Sequence, residues 1–396
     1  AYERTAPLLE RAMALDPESA EVWASRGLAE MNISNLEAAE DALRRAMELN
    51  PSYAPAYLWY ASTLAEAPGR AEEAIEILRK TLEIDPLSRV AQNNIAANYL
   101  VLGRYEDAAT QWRRLVTLDP DYPTGDLGLY RLNPGVFFNL DEAHRWLLKA
   151  HAVSERDVRT TIEFVFLYSD LDMPEQAQRW NRRIMLESPG HPMSRMLPIY
   201  KAIYDKDFEL ADRLATPLIE TDVSKFGDFR ATRILMLVML DRTAEALDLA
   251  ATWYPELLTG DPIVTTNNHD VSTEVIFALA RAGDSDKARR LLAAENAHQA
   301  RDHADRTSAE TAVITSVNAA AAGEHQRAIS LLREGVDQGW LGSAEWGWKF
   351  TESEYLGDAA SSPEVKAIQD QLDAAFADQR QKVQQQLAEL GAGARF

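Results

Sequence analysis

Prolines preceded by Asp or Asn stand at Pro17, Pro51, Pro86 and Pro120, at intervals of 34, 35 and 34 residues. Proline lacks the amide that would continue a helix, so each of them marks a stop. A second marker runs further along the chain. Alanine recurs at Ala39, Ala74, Ala108, Ala143, Ala177, Ala211, Ala246, Ala288 and Ala328, at intervals of 35, 34, 35, 34, 34, 35, 42 and 40 residues. A small residue there lets neighbouring helix axes approach to the low end of their usual spacing of about 8–10 Å. Trp112, Trp146 and Trp180 also fall 34 apart and read as large fillers of the same seam. One alanine match means little in an alanine-rich chain. Nine in near-constant register, together with the prolines, require a repeating two-helix unit. Such units need only their neighbours, so 396 residues need not divide into two or three globular domains.

The clearest unit is RVAQNNIAANYLVLGRYEDAATQWRRLVTLDP, Arg89 to Pro120. It reads as two antiparallel helices with a turn at Leu102-Gly103-Arg104. Ile95, Ala96 and Tyr99 face Ala108, Trp112 and Leu115. Tyr99, Gly103, Ala108, Trp112 and Pro120 fall where the tetratricopeptide (TPR) pattern places its markers, so the segment resembles a TPR. Ala20 to Pro51 carries Trp23, Gly27, Ala39, Leu43, Ala46 and Pro51 at matching places, with a turn at Asn32–Asn35. Ala54 to Pro86 has Tyr57 in place of the tryptophan and one extra residue near Pro68-Gly69. The resemblance implies an all-α, TPR-like right-handed α-solenoid of about nine helix pairs with a C-terminal capping helix.

Four stretches are expected: regular TPR repeats over 1–120, degenerate TPR-like repeats over 121–260, longer TPR-like helix pairs over 261–338, and an aromatic turn with the capping helix over 339–396. Residues 121–140 contain Pro123, Gly125, Gly128, Pro134 and Gly135 where a first helix belongs. A short or broken helix is expected there, either a distorted repeat or a bend. The loop TGDPIVTTNNHD explains the lengthened interval before Ala288. In the last stretch WLGSAEWGWKFTESEYLGDAASS holds three tryptophans. A long helix follows from Pro363 to Leu390, with Ser362 as N-cap and Pro363 at N1. Val365, Ile368, Leu372, Phe376 and Val383 form its apolar stripe, suited to covering the exposed end of a solenoid.

The net charge is −21, from 62 acidic and 41 basic residues. Direct nucleic-acid binding needs a basic surface and is not expected, and docking on anionic lipid is opposed in the same way. The excess keeps a long helical surface soluble and also admits a basic partner. No stretch approaches the roughly 18 apolar residues of a membrane span, so no membrane insertion is expected. The absence of cysteine excludes disulfides and leaves cytoplasmic and periplasmic locations equally open. The chain opens without methionine on what reads as the second helix of a pair. A piece of a longer protein is therefore expected, with any anchor, signal or catalytic domain upstream.

Little in the sequence carries chemistry. There is no HExxH, Walker loop, GxGxxG after a strand, or GxSxG elbow. His144 and His151 share a helix face, but two turns, about 10 Å, separate them, too far for one metal without a ligand between. No metal, cofactor or catalytic residue is assigned, and the chain is read as no enzyme. Arg44-Arg45, Arg113-Arg114, Arg182-Arg183 and Arg289-Arg290 recur on second helices and are expected to pair with acids of adjacent repeats.

TPR proteins hold a protein or peptide ligand along the face formed by first helices. In this frame the inner positions are Val90, Asn93, Ala97, Leu100 and Val101 in the third repeat. They are Arg159, Ile162 and Phe166 in the fifth, and Met193, Met196, Tyr200, Ile203 and Tyr204 in the sixth. Asn93, Arg159, Phe166, Met193, Met196, Tyr200 and Tyr204 are the candidate groove residues, apolar and adaptable because methionine refits and tyrosine adds a polar tip. They could equally fill a narrow superhelix. Among TPRs that grip a terminal carboxylate with lysine and asparagine, only Asn93 and Asn94 offer a likeness. Glu21, Ala24, Leu28, Ser62 and Ala65 include no lysine, so chaperone-tail capture is not expected.

LLREGVDQGW (331–340), Leu356 and SSPEVKAIQDQLDAAFADQRQKV (361–383) resemble the TPR tails of bacterial adenylate cyclases and winged-helix transcriptional regulators. That resemblance implies a sensory or regulatory module whose ligand is another protein or a domain of the same parent. Two other readings stay open: a structural scaffold for a cell-envelope complex, and the regulatory half of an enzyme such as a cyclase.

Overall fold

The computed structural model describes residues 2–67, 69–133, 137–220, 229–265, 268–302, 308–341 and 354–390. The chain falls into two compact units, Ala1–Leu132 and Asn133–Phe396. The described residues are all-α, and each unit is an α-solenoid of stacked antiparallel helix pairs.

In the first unit α1 (Tyr2–Leu15) precedes three pairs: α2 (Ala20–Met31) with α3 (Leu36–Leu49), α4 (Ala54–Ala65) with α5 (Ala71–Ile84), and α6 (Arg89–Val101) with α7 (Tyr105–Leu118). A short α8 (Thr124–Leu132) closes it against α7. Each pair packs on the next, as α3 on α4 and α5 on α6. Ser19 and Ser88 start α2 and α6, their hydroxyls accepting from the amides of Val22 and Ala91.

The second unit begins with α9 (Leu140–Val153). It continues through α10 (Val158–Asp170) and α11 (Pro174–Glu187), α12 (Pro192–Tyr204) and α13 (Phe208–Glu220), then α14 (Phe229–Met239) and α15 (Thr243–Trp253). Two longer intervals then give α16 (His269–Arg281) with α17 (Ser285–Asp302), and α18 (Ser308–Ala321) with α19 (His325–Asp337). The loop before α16 is pinned by Asn268, whose amide donates to Glu256 Oε1 and the Ile263 carbonyl while accepting from the Thr265 amide. Finally α20 (Pro363–Leu390) starts at Ser362, whose hydroxyl accepts from the Val365 amide. Residues 342–353, most of the expected aromatic turn, lie outside the described residues.

All nine register alanines are buried, eight of them at 0% exposure and Ala177 at 8%. Five residues before each stands a residue with positive φ: Ser34, Gly69, Gly103, Phe138, Asp172, Lys206, Asp241, Gly283 and Gly323. The turn therefore repeats with the alanine, at the same uneven intervals. Glycine adopts this left-handed conformation freely, whereas the other five positions carry strain. Phe138 is the extreme case, a bulky side chain held there by burial in the second unit's apolar core.

The expected short helix at 121–140 is α8. Its glycines mark close packing: a Cβ on Gly128 would lie 2.3 Å from the Trp112 indole, and one on Gly125 would lie 2.8 Å from Val116 Cγ2. Residues 134–136, which include Pro134 and Gly135, lie outside the described residues.

Two sequence expectations need correction. Trp146 does not fill the seam as Trp112 and Trp180 do. It is half-buried, with its Nε1 on Glu142 and its ring under the Lys149 ammonium, because His144, Leu147 and His151 fill that face of α9. The paired arginines mostly bond within their own helices, as Arg44 to Glu40, Arg45 to Glu48, Arg183 to Glu187 and Arg289 to Asp286. One turn of helix places such partners within reach at no cost in chain geometry. The ion pairs between successive second helices come instead from arginines just before those helices: Arg70 to Glu40 at 2.5 Å, Arg104 to Glu72 at 3.5 Å and Arg242 to Asp212 at 3.0 Å.

Two substitutions test this packing by chemical denaturation. Gly128→Ala gains up to about 1 kcal/mol of helix propensity but overpacks Trp112, and a net loss of roughly 1–2 kcal/mol is expected. Ser34→Gly relieves a left-handed turn and is expected to gain up to about 1 kcal/mol.

Candidate protein-interaction surface

In the first unit the positions of α6 expected to face inward are partly open to solvent. Val90 and Val101 are 46% and 68% exposed, and Asn93, Ala97 and Leu100 between them are half-buried. Leu87, one turn earlier, is 79% exposed. Asn93 has a structural duty as well, since its Oδ1 accepts from Trp112 Nε1 at 3.0 Å and so fixes the indole on which Gly128 rests.

The second unit treats the other candidates differently. Arg159 is exposed and its guanidinium is bonded to Asp157, the residue that caps α10. Ile162 is buried. Phe166 and Tyr200 are half-buried and meet edge to face at 5.8 Å, bringing the fifth and sixth repeats together, and Tyr200 lies 6.2 Å from Phe229. Met196 is 3% exposed, in a core with Ile199, Ala211 and Phe229, and offers no surface to a ligand. Met193 and Tyr204 belong to α12, but their side chains lie outside the described residues.

A constellation not anticipated from the sequence lies where α9, α10 and α11 meet. Phe164 stacks on Trp180 at 4.2 Å and on Tyr168 at 5.8 Å. The edges of His144 and His151 flank Phe164 at 6.2 and 5.7 Å. Among the described residues no group of three or more His, Cys, Asp or Glu is placed to hold a metal ion.

His144 is fully buried, and both ring nitrogens are engaged. Its Nε2 lies 2.8 Å from the Tyr168 hydroxyl and its Nδ1 lies 2.6 Å from Gln386 Oε1. Gln386 can only accept through that oxygen, so Nδ1 carries the proton and Nε2 accepts from tyrosine. Burial disfavours the charged ring and pushes the His144 pKa down to about 4, against a smaller opposing effect of the Gln386 bond. His151 is shifted the same way, by burial and then by Arg183.

Gln386 belongs to α20, so the C-terminal helix reaches back from the last pair to α9, the first helix of its unit. Its first half covers the last pair as expected, with Val365, Ile368 and Leu372 buried. Its second half makes a set of polar bonds. Gln379 Oε1 accepts from the Asp141 amide at 3.0 Å, and Gln386 Nε2 donates to the Asp141 carbonyl at 3.0 Å. Arg380 donates to the Leu171 carbonyl at 2.6 Å and to Asp172 at 3.3 Å. The sequence signals were a histidine in the buried stripe of α9 and the glutamine-rich run QRQKVQQQ (379–386), too polar to register as an amphipathic face.

A neutral buried histidine ties stability to pH. The unfolded chain takes up the proton near pH 6.5, the native chain only near 4. Stability is full above the first value and is lost as pH falls toward the second. His144→Gln, which cannot titrate, is expected to remove about 1.5 kcal/mol of the wild-type decline between pH 6.5 and about 5, read from urea midpoints.

Residues 34–93 match the tetratricopeptide repeat family model. No curated protein matches the chain. Among solved structures it is similar to the type IV pilus biogenesis factor PilW, at 18% identity over 48% of this chain and 88% of that one, with a TM-score of 0.42. It is similar also to Pseudomonas aeruginosa pilF, at 18% identity over 48% and 86% with a TM-score of 0.40. YrrB, a TPR protein with an unusual peptide-binding site, matches at 18% identity over 46% and 93% with a TM-score of 0.33. Likeness at this level carries no partner and no activity across to this chain. Residues 34–93 thus match a tetratricopeptide repeat, and the alanine register that runs through them continues in both units.

Proposed function

We propose that the chain is a non-catalytic protein-binding module, the sensory or regulatory TPR region of a larger bacterial signalling or transcription-regulatory protein. The observation that carries the binding role is the α6 face, where repeat packing leaves Val90 and Val101 in solvent around a fixed Asn93–Trp112 pair. Helices in a solenoid bury what they need to stack, so apolar side chains left outward on an inner face are available to a ligand. The ligand is an apolar-faced peptide or domain. The regulatory role rests on the C-terminal resemblance at 331–340 and 361–383. Reading the flanking gene sequence tests it: a cyclase or winged-helix domain there would support it, and repeats directly after a secretion signal would favour the scaffold reading.

The binding role is tested by affinity capture from the source organism with the wild-type chain and with a Val90→Glu/Val101→Glu variant. Both positions are exposed, so the variant is expected to keep its helical circular dichroism and its unfolding midpoint. Capture of a partner is expected to drop at least tenfold. Equal capture by both chains removes α6 from the proposal.

A further inference from the structure

The two halves of α20 are attached by different forces. From Pro363 to Phe376 it is held by apolar burial, with Val365, Ile368 and Leu372 in the core of the last pairs and Phe376 against it. From Gln379 onward the apolar contribution is Val383, buried, and Leu387, half-buried, and the other contacts are hydrogen bonds and partly exposed ion pairs. Neutral hydrogen bonds contribute about 1 kcal/mol each net of their exchange with water, and exposed ion pairs less. The second half is therefore the weaker attachment.

Its seat, by contrast, is rigid. His144 is held by Tyr168, which stacks on Phe164, which stacks on Trp180. Asp141 and His144 are carried by α9, and His144 is bonded from behind by the Tyr168 hydroxyl, independently of α20. Gln379, Lys382, Val383 and Gln386 are spaced i, i+3, i+4 and i+7, one face of a helix, while Arg380 reaches sideways to the α10–α11 turn. Acid meets base across the contact, with Lys382 3.8 Å from Asp141 and Arg380 3.3 Å from Asp172.

We infer that residues 379–390 act as an intramolecular ligand, seated on a binding site for a basic, glutamine-bearing amphipathic helix of a partner protein. The site consists of Asp141, His144, the Leu171 carbonyl and Asp172. This rests on the reading of the chain as a protein-binding module and names one of its sites and the chemistry of its ligand. A tethered segment acts at an effective concentration of the order of millimolar, so a partner helix with the same pattern binds when its own affinity exceeds that competition or when the tethered half is released.

The probe is a fluorescent synthetic peptide of residues 376–390, followed by anisotropy against the full chain and against an Arg380→Glu/Lys382→Glu full-chain variant. Hydrogen exchange of the variant is expected to show faster amides over 379–390 with 363–376 still protected. The peptide is expected to bind the variant at least tenfold more tightly than wild type. Adding Asp172→Lys is expected to weaken that binding, and a peptide carrying both charge reversals is expected not to bind. Undiminished protection of 379–390 in the variant, or release without peptide binding, or equal binding to both chains, overturns the inference. None of these outcomes touches capture through Val90 and Val101, so the site and the general module reading fail separately.

Discussion

The structure depends on one close approach, repeated in eight helix pairs within the two units. In each pair a buried alanine on the second helix lets that helix sit against its first, and a left-handed residue five positions earlier turns the chain so that it can. The two requirements are one geometric event: the tight turn brings the chain back at an angle that only a small side chain tolerates. Where the turn residue is glycine, the conformation is free. Where it is Ser34, Asp172, Lys206 or Asp241, local strain is outweighed by the burial that the returning helix gains. At Phe138 the same turn is kept by a residue whose ring lies in the core, so packing overrides backbone preference there.

This constraint explains why the fold was legible and the surface less so. Alanine and proline intervals are properties of spacing, and the alanine interval survives even where the repeat consensus has decayed beyond Pro120. The intervals of 42 and 40 residues were equally visible, and α17 with its 18 residues and the loop pinned by Asn268 account for them. Side-chain orientation is set by finer differences in helix rotation. Met196 was placed inward by counting, yet it lies in the core around Phe229, whereas Val90 and Val101 at related positions remain in water. Trp146 kept the 34-residue interval of its neighbours and still left the seam, because two histidines and Leu147 had filled it.

The arginines show the same limit from the electrostatic side. Sequence shows where charges are, and a helix surface offers every arginine several acids at one turn's distance. Arg44, Arg45 and Arg289 took those local partners. Arginines just before second helices reach an acid about one repeat earlier instead. Arg70, Arg104 and Arg242 do so while also bonding Glu73, Asp107 and Glu245. Exposed pairs of this kind add little energy each. Their value is directional, since they tie α5, α7 and α15 to the second helix before each.

The contact between α20 and α9 obeys a different logic from the rest. Elsewhere elements are joined by apolar area, which has no fixed geometry and is hard to undo in part. Here the join is made by glutamine amides meeting a backbone amide, a backbone carbonyl and a neutral imidazole. Each bond exchanges for one to water with modest net change, so the helix end can leave while uncovering only Val383 and part of Leu387 as apolar surface. The imidazole must be neutral for Nε2 to accept from Tyr168, and burial among aromatic rings ensures that at ordinary pH. Replacing these glutamines with leucines would make a tighter cap and a permanent one. Polar side chains at the far end of a helix whose near end is apolar give a segment that is fixed at one end and exchangeable at the other.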